Sequence, residues 1–128
     1  MGLLDFFRKQ KTNPAADALF GSGPGGRLDE MPGGVGEYGL EPTNPIPVRG
    51  ITMIKLYLGF LATPEHQRIT FKRVRSIDDP RFSGPTDEYD IFDQNGSLLT
   101  KLYVNGYAEG TSERAPKGFI YFRPFRAS

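Results

Sequence analysis

Apolar and polar positions divide the chain into three parts. The first seven residues hold Leu3, Leu4, Phe6 and Phe7, followed at once by Arg8, Lys9 and Lys11. Wound as a helix, this segment places Leu3, Phe6 and Phe7 on one side with Leu4 beside them. Its cations then sit at the C-terminal end, where they suit the helix dipole. So short a helix needs a surface to bury its face. Residues 12–43 follow with few apolar side chains. Eight glycines lie from Gly21 to Gly39, together with Pro24 and Pro32. That composition does not repay the entropy of ordering, and it predicts a disordered Gly/Pro-rich linker.

From residue 44 the pattern becomes that of a folded domain, 44–126. The prolines of Asn44-Pro45-Ile46-Pro47 favour an extended entry, and Arg49-Gly50 breaks the chain before the next element. Residues 51–62 are the most apolar segment. Ile51, Ile54, Leu58 and Leu61 follow helical spacing, yet other sides are apolar too, so a short buried helix and a buried strand both fit. The helix is preferred. Thr63-Pro64-Glu65-His66-Gln67 reads as a turn, and 68–77 as a strand.

Asn95-Gly96, between two runs rich in apolar and β-branched residues, predicts a hairpin with a two-residue turn. In that register Asp93 faces Leu98, Phe92 faces Leu99, Ile91 faces Thr100, Asp90 faces Lys101 and Tyr89 faces Leu102. Tyr89, Ile91, Leu98, Leu102 and Val104 then look into the core. Glu88, Asp90, Phe92, Leu99, Lys101 and Tyr103 look out. A last strand is expected over 118–122. The fold class is α+β or mainly β: a small antiparallel sheet of three to four strands with one short helix, preceded by a disordered arm.

Composition narrows the chemistry. The chain of 128 residues has no cysteine, which removes disulfides, thiolate nucleophiles and Cys-based zinc sites. No apolar run approaches the roughly 18–20 residues of a membrane span. Asp5 within the apolar start, and basic residues after it, are unlike a signal peptide, so a cytoplasmic protein is expected. The total charge is +1, but it is distributed in blocks: +2 over 1–11, −4 over 12–47, +5 over 48–76 and −5 over 77–94. Adjacent blocks of opposite sign predict strands that pair with one another.

No cofactor is implied. His66 is the only histidine and stands in a polar turn with no partner in sequence, so it reads as a surface residue. Catalysis would require a pocket joining it to a distant carboxylate such as Asp78 or Glu109. Asp87, Glu88, Asp90 and Asp93 lack the spacing of a calcium loop, and strand alternation divides them between two faces. Arg68, Lys72, Arg73 and Arg75, with Phe71 among them, have the make-up of a nucleic-acid strand. The acidic block that follows cancels their field, so nucleic acid is a disfavoured partner. The glycine runs at 23–26 and 33–34 lack the Gly-Lys-Ser/Thr of a phosphate loop.

Two resemblances add to this reading. The opening Leu3-Leu4-Asp5-Phe6-Phe7 with Arg8, Lys9 and Lys11 resembles the membrane-targeting start of the bacterial division-site topological specificity factor. It implies an interfacial amphipathic helix and not that factor's activity. Asn44-Pro45-Ile46-Pro47-Val48-Arg49-Gly50, Tyr89-Asp90-Ile91-Phe92-Asp93 and Ala115-Pro116-Lys117-Gly118-Phe119 are similar to segments of a family of small uncharacterised bacterial proteins. That likeness covers 44–119 and implies a bacterial origin and a domain boundary, but no activity.

Function is therefore expected to be non-catalytic. The chain reads as an adaptor or accessory module, peripheral at the inner face of the membrane or on a partner protein. Its docking tip would be Leu3, Leu4, Phe6, Phe7, Arg8, Lys9 and Lys11. The competing expectation is a soluble protein-binding module, inhibitor- or immunity-like, that uses Phe92, Tyr103 and Tyr107 on the outer face of its sheet.

Overall fold

A computed structural model describes residues 26–122. The tip and residues 12–25 of the expected linker lie outside the described residues. The elements are β1 (Ile46–Pro47), α1 (Ile51–Gly59), β2 (Leu61–Ala62), β3 (Thr70–Ile77), β4 (Thr86–Phe92), β5 (Leu98–Asn105) and β6 (Ile120–Tyr121). Four strands form one sheet in the order β1-β5-β4-β3, and β2 pairs with β6 in a second, two-stranded sheet. β1 runs parallel to β5 and the other pairings are antiparallel, so the main sheet is mixed. Among the described residues, no helix is long and apolar enough to cross a membrane.

The ambiguous segment 51–62 divides into α1 and β2. Met53, Ile54, Tyr57 and Leu58 are buried, the i, i+1, i+4, i+5 pattern of one helix stripe. That stripe is rotated from the expected one: Ile51 is 62% exposed, and Leu61 lies past the helix end. The stripe joins Val48, Tyr89, Ile91, Leu102 and Val104 in a single core cluster. At 20–33 cal/mol per Å2, burying each such side chain contributes about 1.5–3 kcal/mol.

The hairpin register holds from Ile91 backwards, with Ile91 opposite Thr100, Asp90 opposite Lys101 and Tyr89 opposite Leu102. The turn does not take the expected form. Asp93 pairs with Ser97 across three residues: Asp93 N–H donates to the Ser97 carbonyl at 2.9 Å, and Gly96 N–H to the Asp93 carbonyl at 3.0 Å. Only Gly96 takes a left-handed backbone, with φ of 84°. The Asp93 carboxylate secures the turn by accepting from the N–H groups of Asn95 and Ser97. The added residue shifts Phe92 opposite Leu98, and a bulge at Leu99 shifts the ladder back. Leu98, expected in the core, is consequently 56% exposed.

Residues 26–43 belong to the folded body and not to a linker. Met31 and Tyr38 are 8% and 5% exposed. The segment is bound to the rest by backbone bonds: Leu28 N–H to the Thr111 carbonyl at 3.0 Å, and Tyr103 N–H to the Gly39 carbonyl at 2.9 Å. Gly39 has φ of 74°, and a Cβ there would stand 2.9 Å from the Ile46 side chain. Its glycine serves close packing and a left-handed turn, not looseness.

The expected last strand is shorter and joins β2, not the main sheet. The turn before β3 is a second three-residue loop. Thr63 N–H donates to the Gln67 carbonyl at 3.0 Å, His66 N–H to the Thr63 carbonyl at 2.8 Å, and His66 holds φ of 65°. A left-handed conformation disfavours any residue with a Cβ, so His66→Gly is expected to raise stability by about 0.5–1 kcal/mol. Thermal unfolding measures it, and a lower midpoint would show that the exposed imidazole contributes more than it costs.

Candidate functional site

Two networks of polar side chains hold the fold beneath α1 and across the sheet. Under α1, Tyr57 O–H donates to the Arg114 carbonyl at 2.5 Å, and the Tyr38 hydroxyl is hydrogen-bonded to Ser112 Oγ. The Arg114 guanidinium lies 4.3 Å from the centre of the Tyr38 ring. Burial pushes the Tyr38 hydroxyl up to about 12, against the opposing pull of its bond to Ser112. Burial likewise raises Tyr57 well above the ordinary tyrosine value. Both phenols stay neutral at physiological pH.

On the outer face of the sheet, Glu88 accepts from Arg75 Nε at 3.1 Å and from Lys101 Nζ at 3.2 Å, and Lys101 also reaches Asp90 at 2.6 Å. Burial pushes the Glu88 carboxyl up, but the bonds from Lys101 and Arg75 outweigh it and leave it below its usual range. The basic block of 48–76 and the acidic block of 77–94 thus meet as β3 and β4 neutralising one another, as expected.

Among the described residues are two open grooves of about 380 Å3 each, largely apolar in lining. The first is built where the 78–85 loop meets the start of the described chain, and Leu28, Met31, Pro32, Phe82 and Tyr107 supply its apolar lining. Asp79 organises the loop: its carboxylate accepts from Arg81 N–H at 3.0 Å and Nη2 at 2.7 Å, and its carbonyl accepts from Phe82 N–H at 3.0 Å. Asn105, fully buried, fastens the other side by donating to the Gly84 carbonyl at 3.0 Å and accepting from Tyr107 N–H at 2.9 Å. The Tyr107 ring lies against Gly84, where a Cβ would stand only 2.5 Å away. The second groove lies between the β4–β5 hairpin and the 63–65 turn, lined by Leu40, Pro64, Leu99 and Phe119.

Of the expected face residues, Tyr107 is 46% exposed and enters the first groove. Phe92 and Tyr103 are half-buried. Phe92 is at the turn end of the β4–β5 hairpin and Tyr107 lies beyond its other end, so the structure does not bring them together. Glu109 lines the Tyr107 groove, while His66 and Asp78 do not; His66 instead contacts the Phe122 ring edge-on at 6.2 Å. Leu3, Leu4, Phe6, Phe7, Arg8, Lys9 and Lys11 lie outside the described residues. Among the described residues, no group of three or more His, Cys, Asp or Glu side chains is placed to hold a metal ion. No protein-family model matches the chain, and comparison with curated proteins and with solved structures gives no match.

Proposed function

We propose that the protein is a non-catalytic adaptor, held at an anionic membrane surface by its N-terminal tip and presenting the folded domain from there. The observation that carries this reading is the order of side chains in the tip, four apolar residues followed directly by three cations. Leu3, Leu4, Phe6 and Phe7 enter the apolar phase while Arg8, Lys9 and Lys11 meet anionic headgroups. The folded domain supports it indirectly. Tyr38, Tyr57, Ser112 and Glu88 are tied into bonds that hold the structure, and the concave surfaces are apolar grooves suited to binding.

Phe6→Ala combined with Phe7→Ala is expected to release the protein from phosphatidylglycerol vesicles in a flotation assay. Each buried phenylalanine contributes about 1.5–3 kcal/mol, so partitioning should fall at least about 100-fold. Added salt should weaken the parent protein's binding, and the unfolding midpoint should not change. Undiminished flotation of the double variant would overturn the reading. The tip would also suit a partner protein's groove, in which case neither form floats.

A second reading is a soluble protein-binding module in which, of Phe92, Tyr103 and Tyr107, the exposed Tyr107 carries the contact. Exposure of Tyr107 at a groove favours it. Under that reading loss of the tip is harmless and Tyr107→Ala removes partner binding.

A further inference from the structure

The two edge strands of the main sheet are finished differently: β1 spans only Ile46–Pro47, beside Val104 and Asn105 of β5, whereas β3 runs over eight residues. At β1 the Pro47 carbonyl accepts from Ser112 N–H at 2.9 Å, Arg49 N–H donates to Thr111 Oγ1 at 2.9 Å, and Arg27 forms a parallel bridge with Thr111. Two further chain segments thus close that edge. β3 has no such cover. Among the described residues, the only backbone hydrogen bonds reaching β3 are those of its ladder with β4, and Lys72, Arg73, Val74, Arg75 and Ser76 are all exposed. An edge of this kind presents a row of free N–H and C=O groups.

Charge alternates strand by strand across the sheet. Lys101 on β5 pairs with Glu88 and Asp90 on β4. Arg75 and Arg73 on β3 pair with Glu88 and Asp87 on β4. Lys72 stands opposite Asp90 in register and forms no ion pair with a described residue. The Arg73 and Arg75 side chains remain 56% and 66% exposed while paired, and each guanidinium carries donors beyond those used. Beside β3, the continuation of the alternation is a strand bearing carboxylates.

We infer that the open edge of β3 is the docking site for an extended acidic segment of a partner protein. That segment adds as a further strand, its backbone bonded to β3 and its carboxylates facing Lys72 and Arg75, which share the outer face with Asp90 and Glu88. A second copy of this chain does not fit, because pairing β3 with β3 sets cation against cation. The inference rests on described residues alone and stands whether or not the tip binds membrane.

The test uses the full chain and a fluorescent peptide that alternates glutamate with threonine. Anisotropy should report saturable binding that salt weakens, and a lysine–threonine peptide should not bind. Amide exchange should slow over 70–77 when the acidic peptide is present. Lys72→Ala with Arg75→Ala should raise Kd about tenfold, as expected for two exposed ion pairs, with thermal unfolding as the check on folding. Absence of saturable binding, an unchanged Kd in the double variant, or exchange protection elsewhere than β3 would each overturn the proposal. So would tighter binding of oligothymidylate, or of phosphatidylglycerol vesicles to a chain with Phe6→Ala and Phe7→Ala, when that binding is lost with Lys72 and Arg75. Those outcomes would mark a phosphate-reading surface.

Discussion

Tyr38→Ala is expected to destabilise the protein by about 3–5 kcal/mol, the range for removing a large aromatic side chain from a core. The ring is 5% exposed, beneath the Arg114 guanidinium, and its hydroxyl joins Ser112, 74 residues further along. Truncation leaves a cavity and also deprives Ser112 of a buried partner. A residue in a solvated linker would cost within about 0.5 kcal/mol instead. Urea unfolding distinguishes the two, since only a shifted midpoint at constant slope records a loss of stability. An unshifted midpoint would return residues 26–43 to the status of a tether.

The same network predicts how the protein fails in alkali. In the unfolded chain both tyrosines ionise near the ordinary value of 10.0, whereas burial holds the folded Tyr38 up to about 12 and Tyr57 above its usual value too. A group raised in the folded state contributes stability that is complete below its unfolded pKa. That contribution is lost as pH rises towards the folded pKa, because the unfolded chain has already shed the proton. Stability should therefore be flat up to about pH 10 and fall by about 2–3 kcal/mol on account of Tyr38 by about pH 12. Denaturation midpoints measured across that range, with tyrosinate absorbance followed in parallel, check it. Tyr38→Phe should flatten part of the slope, and an equal slope in that variant would separate the alkaline failure from this side chain.

The elements legible in the sequence are those whose partners are local. Asn95-Gly96 marks a reversal and the alternation from Tyr89 to Val104 sets a register, so Asp90 opposite Lys101 follows from the residues alone. The turn form did not follow. A three-residue loop adds one position and the bulge at Leu99 removes it, so the two departures cancel from Ile91 and Thr100 onward and persist only between Phe92 and Leu99. Residues 26–43 were opaque for a different reason. Met31 and Tyr38 follow no period, and Tyr38 is anchored by Ser112 and Arg114, which composition does not connect to it.

The candidate surfaces were legible to a similar degree. The basic run of β3 and the acidic run of β4 stand out as charge blocks, and their neutralisation was expected from adjacency. Which strand keeps a free edge depends on topology. The 110–112 segment covers β1, and nothing in the spacing of Thr111 and Ser112 announces it. Tyr107 could be singled out as an aromatic, but its groove gathers side chains from three separate stretches of chain.

An adaptor that joins an anionic surface to a protein segment must hold both on one molecule. Co-flotation tests it most directly: phosphatidylglycerol vesicles, the full chain and the fluorescent acidic peptide are combined in one gradient. The account predicts that the peptide rises with the vesicles only when the chain is present. It should be left behind when either the Phe6/Phe7 or the Lys72/Arg75 alanine variant replaces the parent. A chain that floats while the peptide stays in the lower fraction, or a peptide that binds a chain which does not float, would contradict the adaptor.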